Sequence, residues 1–341
     1  MRMRVEFFFK AQSELSALVN FMGAYQQSTA LSPASLVSKV SSSAVPAIFN
    51  RFNLANKVKN DNLLASANNI INIMPDANVC VHYSLKYNTQ KSVDQSFSYF
   101  TGFLTKAEQM GVAEILIISG SGDKKALNTV SCLQMLRESE NHRTNVDIAV
   151  AFNPYFPDAK NRSVEVDRLS AKLATGMVST IYLQFGSDTS LLKEGLAAIN
   201  KALEIYGSSD DSLKRKNCKE IKVIGSVMIP SKQLLARMKF RPWNGVYLSE
   251  TFLGGVTAAE VIVLEMLNIY RDFGVEPLVE TAFKNESEAS HILAILSGDN
   301  YFENKLKSDD SIPDRMSTST PSVLPEQAHT PPKRRKRTMN R

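Results

Sequence analysis

Long apolar runs are missing from this chain. No stretch approaches the roughly 18 residues that a bilayer-spanning helix requires. The opening MRMRVEFFFK is basic and then apolar, but Glu6 breaks the apolar part, so it does not read as a signal peptide. Cysteine is scarce as well: Cys80, Cys132 and Cys218 are widely spaced and odd in number, and no CxxC pair offers a zinc clamp or a disulfide-exchange motif. The expected setting is a reducing one, the cytoplasm. A dinucleotide-binding GxGxxG is also lacking, and the GSGD at 120–123 does not supply one.

Basic charge is missing from the body, although the net charge is +6. Residues 331–341, PPKRRKRTMNR, hold six basic residues and no acidic ones, and the other 34 basic residues are matched by 34 acidic ones. The body therefore has no excess charge for nucleic acid, and weak polyanion contact falls to the tail. Residues 304–341 are rich in Ser, Thr and Pro without a periodic apolar pattern, which predicts disorder. Within them Lys333, Arg334, Arg335, Lys336 and Arg337 read as a nuclear-import address, with a solvated terminal charge run as the plainer alternative.

What is present is a regular alternation. Short β-rich apolar runs occur at VEFFF (5–9), AVPAIF (44–49), NVCVHYS (78–84), AEILIIS (113–119), VDIAVAF (146–152), STIYLQF (179–185), EIKVIGS (220–226) and EPLVETA (276–282). Between them lie stretches with helical spacing, such as SYFTGFLTKAEQMG, ALNTVSCLQMLRES and DRLSAKLATGM. From the third run onward the starts fall 35, 33, 33 and 41 residues apart, room for strand, loop and helix each time. The pattern predicts a (β/α)8 barrel over residues 1–303, with extra helix before the last strand around SKQLLARMKF and TAAEVIVLEMLNIYRDFG.

A barrel gives the isolated polar residues a place. Active sites of this fold lie at the C-terminal ends of the strands. Glu6 in the first run, His82 in the third, Asp123 just past the fourth and Gln184 in the sixth fall there. Each has a plainer role available: an ion pair for Glu6, a satisfied core position for His82, a helix N-cap for Asp123, a hydrogen-bonding spacer for Gln184. Their convergence on one barrel end argues for a polar-ligand site.

The order VEFF, VHYS, GD, VAFNPYFPDA, AKLATG, YLQF and IGSVMIPS resembles the methylenetetrahydrofolate reductase family. That family typically shows FEFFPP, HLTC, LRGD, an AYPEXHPEA-like stretch, KXXXGA, TQ and G-I-(M/L)-P in the same order. The resemblance spans about residues 3–300. It implies a barrel that passes hydride from NAD(P)H to FAD and on to 5,10-methylenetetrahydrofolate, giving 5-methyltetrahydrofolate.

By that resemblance Glu6 is the acid that protonates a folate nitrogen, Asp123 lies near flavin and pterin, and Gln184 contacts the pterin edge. His82, Gly122, Asp123 and Lys172 match positions lining the FAD site, with Arg168 one turn before Lys172 placed for the diphosphate. The chain departs from the pattern at Ser121, Phe152, Phe156 and Ala171, where the family has polar or basic residues, and at Phe9 and Lys10, where it has two prolines. These departures fall mainly on FAD contacts. The alternative reading is a flavin-less barrel that binds folate or a protein partner, with a nuclear connection through the tail. Oligomeric state and the choice of NADH or NADPH are left open.

Overall fold

A computed structural model describes residues 4–7, 50–59, 61–120, 126–139, 144–207 and 221–280. Eight parallel strands close in sequence order: β1 (Arg4–Phe7), β2 (Arg51–Leu54), β3 (Asn78–Ser84), β4 (Glu114–Ile118), β5 (Asp147–Phe152), β6 (Thr180–Leu183), β7 (Lys222–Met228) and β8 (Glu276–Glu280). The described helices are α1 (Leu63–Ile73), α2 (Val93–Gln109), α3 (Thr129–Glu138), α4 (Ala159–Ala174), α5 (Thr189–Gly207), α6 (Lys232–Phe240), α7 (Glu250–Gly254) and α8 (Val256–Asp272). The chain is a (β/α)8 barrel, as the spacing predicts. Between β7 and β8 the expected extra helix is present, and the short α7 lies between the two long ones.

The second strand is a correction. It is Arg51–Leu54, paired with both β1 and β3, and not the AVPAIF run, which lies outside the described residues. The pleat explains the difference. RFNL places Phe52 and Leu54, both fully buried, toward the helices and Arg51 and Asn53 toward the lumen. A strand whose inward residues are polar reads as loop. AVPAIF is more apolar, but Pro46 lacks the N–H that a central strand must donate.

Helix starts are fixed by side-chain caps. Ser92, Asn128, Asp158, Ser231 and Ser249 accept from the backbone N–H groups of Gln95, Ser131, Asn161, Leu234 and Phe252 respectively. The helix after β4 has Asn128 as its N-cap. Apolar faces then hold the helices on the barrel: α2 buries Phe100, Leu104 and Ala107 at helical spacing.

Inside, the parallel register sorts inward side chains into layers drawn from alternate strands. Arg51, Glu114, Thr180 and Glu276 form the floor. Above it come Arg4, Cys80, Ala149 and Ile224, then Asn53, Leu116, Tyr182 and Leu278. Cys80, Leu116, Ala149, Tyr182, Ile224 and Leu278 make the apolar plug of the lumen.

The floor carries its own charges. Arg4, 1% exposed, lies 3.4 Å from Glu114 and 3.5 Å from Glu276, and its guanidinium stands 5.9 Å over the Tyr182 ring. Thr180 and the Tyr182 hydroxyl both donate to Glu114, and Arg51 pairs with Glu276 at 2.7 Å. Burial opposes the charge on Arg4, but Tyr182, Glu114, Cys80 and Glu276 outweigh it and hold the proton more tightly than usual.

Candidate active site at the barrel mouth

The next layer up is polar on three of its four strands: Glu6 from β1, His82 from β3, Ala151 from β5 and Ser226 from β7. One step higher, the even strands contribute Ile118, Gln184 just past β6, and Glu280 at the end of β8. Register makes Glu280 the direct neighbour of Glu6 across the β1–β8 seam that closes the barrel.

Glu6 is 6% exposed. Burial, and then the Glu280 carboxyl beside it, push its pKa well above the usual carboxylate range, with Lys57 opposing. Glu280 is raised too, first by burial, while a hydrogen bond from Ser226 and the Lys57 charge oppose. Burial and the neighbouring carboxyl thus both favour the protonated form of Glu6.

His82 is also 6% exposed, and burial followed by the Lys57 charge drives its pKa down to about 3. Its Nε2 lies 3.8 Å from Glu6. With the imidazole neutral, this contact is not an ion pair. The Asn53 amide nitrogen lies 3.1 Å from His82 Nε2 and donates to it, which leaves Asn53 Oδ1 buried without a partner.

The rim is built from loops. Lys57 follows β2, where Asp61 Oδ2 accepts from the backbone N–H groups of Lys57 at 2.8 Å and Val58 at 3.0 Å. Gly120, just past β4, has φ +75°, and a Cβ there would come within 2.6 Å of Lys86 Cβ, so only glycine lets the β3 and β4 loops meet. The segment after α6 folds over β6: Gly186 bridges Tyr247, the Ser249 N–H donates to Ser187 Oγ at 2.6 Å, and Asn153 Nδ2 donates to the Gly245 carbonyl at 2.9 Å. Gly245 has φ +81°, and a Cβ on it would sit 3.8 Å from Gln184 Nε2. Gln184 is thus half-buried beneath this segment.

The residues expected to hold FAD do not all gather here. His82 does. Lys172 is buried in the seam between α4 and β5, where its Nζ donates to the Ala151 carbonyl at 2.7 Å and lies 3.9 Å from Glu165. Arg168, 60% exposed, turns along α4 toward Glu165. Gly122 and Asp123 lie outside the described residues. Phe156 packs its ring 5.7 Å from Tyr247, and Phe152 is buried on the helix side of β5, so both departures from the family pattern serve packing. Of the described members of that set, His82 stands at the mouth, while Lys172 and Arg168 are engaged with Ala151 and Glu165.

Two members of the mouth were not legible beforehand. Glu280 needs the closure of β8 on β1 to meet Glu6, and Lys57 stands in a loop without periodic pattern. A separate groove of about 670 Å³ lies on the helix wall between α1 and α2 and contains none of the expected site residues. Among the described residues no group of His, Cys, Asp and Glu is placed to hold a metal ion, and no helix is long and apolar enough to cross a membrane.

Fold and mouth together define a (β/α)8 barrel with an enzyme-like polar site at the C-terminal ends of its strands. No protein-family model and no curated protein matches the chain. Two solved structures show the likeness at low identity. The catalytic domain of a hyperthermophilic chitinase from Pyrococcus furiosus has a TM-score of 0.46 at 7% identity, covering 82% of each chain. A 2,3-dimethylmalate lyase of the PEP mutase/isocitrate lyase superfamily has 0.39 at 11%, covering 91% of this chain and 93% of its own. At these values neither neighbour's activity transfers.

Proposed function

We propose that the barrel mouth is the acid–base site of a divergent methylenetetrahydrofolate reductase-like protein, in which Glu6 gives a proton to a nitrogen of the bound folate. One observation carries this reading: Glu6 is buried on the lumen side of β1, where burial and the adjoining Glu280 favour its protonated form. A carboxyl kept neutral in this way is matched to protonating a weakly basic nitrogen near neutral pH. Gln184, one layer above, has the two-faced amide suited to a heterocycle edge.

NAD(P)H is the hydride source in this proposal, and in the family FAD relays the hydride. No step is drawn through FAD here, because Arg168 and Lys172 are engaged along α4. That engagement favours a second reading, a flavin-less barrel that binds folate or a protein. In either case Lys333–Arg337 is proposed to contact an import receptor, adding a nuclear location to a cytoplasmic one.

The test is turnover of 5,10-methylenetetrahydrofolate by purified protein with NADH or NADPH, with and without added FAD, together with the visible spectrum after unbound flavin is removed. The reductase reading expects 5-methyltetrahydrofolate, and a loss of about 10²- to 10⁴-fold in kcat on Glu6→Gln. Folate binding without turnover or a retained flavin band selects the second reading. Turnover unchanged in Glu6→Gln removes the role assigned to Glu6.

A further inference from the structure

We infer that Glu6 and Glu280 share one proton, and that Lys57 carries it between this pair and solvent. The inference rests on the acid–base reading of the mouth and adds two residues to it.

The geometry begins with the seam. Glu6 and Glu280 are direct partners on adjacent parallel strands, both on the lumen side. Neighbouring strands run about 4.8 Å apart. Carboxyls at directly paired lumen positions in a largely desolvated layer oppose each other's ionisation, so a proton held by one is shared with the other.

The groups facing the pair from the other strands decide where the proton can go. His82 from β3 is neutral, Asn53 from β2 is an amide, Ser226 from β7 is a donor to Glu280, and Ala151, Ile118 and Gln184 carry no charge. Arg4, two residues deeper on β1, is occupied with Glu114 and Glu276. Among the described residues Lys57 is the cation that acts on both carboxyls.

Lys57 is also exposed to water, while Asp61 pins its backbone. The pinned backbone and four-carbon stem, in the loop that follows β2 beside β1, place the ammonium where its charge acts on both carboxyls. Burial lowers its pKa to about 8, so release and recapture of a proton are both accessible near neutrality. On the other side of Glu6, its register partner Asn53 presents a fully buried amide with one atom unpartnered. This marks a place for a ligand hydrogen-bonding group, so the acid has the ligand on one flank and its proton supply on the other.

The step balances without redox change. The Glu6 O–H bond breaks and the proton passes to the ligand nitrogen, leaving the pair with one more negative charge. A Lys57 N–H bond then breaks as the carboxylate regains its proton, and the neutral amine takes a proton from water.

The experiment is a pH titration of the full chain by difference infrared spectroscopy, reading the carbonyl stretch of neutral carboxyls without substrate. Glu280→Gln is expected to lower the pH at which Glu6 loses its proton by about one unit or more, and Lys57→Met to raise it by about one unit. Lys57→Arg keeps the charge but cannot release a proton near neutrality. It is expected to hold the midpoint while slowing reprotonation after a pH jump by about tenfold or more. A Glu6 titration unmoved by Glu280→Gln overturns the shared proton, and an unslowed Lys57→Arg overturns the carrier role. These readouts need no turnover, so failure of the reductase reading is seen separately.

Discussion

Replacing His82 by Gln tests whether the mouth is as desolvated as its burial implies. His82 has its pKa driven down to about 3 from the usual 6.5. A group depressed in the folded state contributes stability that is present above its unfolded pKa and lost as pH falls toward the folded one. The window is therefore pH 6.5 to about 3. Between pH 7 and pH 4.5 the unfolded imidazole gains about three-quarters of a proton and the folded one gains almost none. At 1.36 kcal/mol per pKa unit, the loss across this interval is about 2.5 kcal/mol.

Glu6 contributes in the other direction, since its raised pKa makes burial most favourable at low pH, and it does so in both proteins. Comparing each protein with itself across pH also cancels the cost of the substitution. Urea denaturation followed by circular dichroism at pH 7, 6, 5 and 4.5 is the assay. The wild type should lose about 2.5 kcal/mol more than His82→Gln over the interval. Parallel stability curves, or an imidazole that titrates between pH 5 and 8 in the NMR spectrum, would refute the argument.

Two further outcomes are expected. Arg4→Met leaves Glu114 buried among polar groups but without its cation and should cost about 3–5 kcal/mol, while the double change Arg4→Met with Glu114→Gln should cost less than the sum of the two singles. Thermal and urea unfolding of the four proteins check this, and strict additivity would mean that the floor charges do not act together. Lys172→Met should lower stability by about 1.5–3 kcal/mol through the lost bond to the Ala151 carbonyl, with retention of added FAD unchanged. A loss of flavin retention at wild-type stability would return Lys172 to the cofactor site.

The barrel was legible because most of its strands are covered on both faces and so appear as apolar runs, as in NVCVHYS and VDIAVAF. The second strand was hidden because closure of the lumen there uses Arg51 and Asn53 in place of aliphatic residues. Glu6 and His82 stood out as polar side chains within apolar strands. Arg168 and Lys172 illustrate the opposite limit. Spacing put both on one helix, but which way each head turns depends on the packing of α4 against β5, and Glu165, within the same helix, draws both.

The two ends of the lumen treat buried polarity in opposite ways, and the contrast separates scaffold from site. At the floor, each charge meets its counter-charge: Arg4 with Glu114 and Glu276, Arg51 with Glu276, and Glu114 also with Thr180 and Tyr182. Such a network closes the barrel bottom and asks for no ligand. At the mouth, two carboxyls adjoin, an imidazole is kept neutral, and an amide atom has no partner. Apolar residues would fill this layer at less cost, since a buried polar atom left unpaired costs about 1–3 kcal/mol. Arg4 Nε and Nη1 also lack hydrogen bonds but keep Glu114 and Glu276 within ion-pair range, whereas Asn53 Oδ1 has no such counter-group, which suits a ligand with its own hydrogen-bonding edge. Binding such a ligand should stabilise the protein by satisfying Asn53, and Asn53→Leu, which also removes the bond to His82, should abolish that gain. If Asn53→Leu leaves ligand-induced stabilisation intact, the orphaned amide belongs to the scaffold after all.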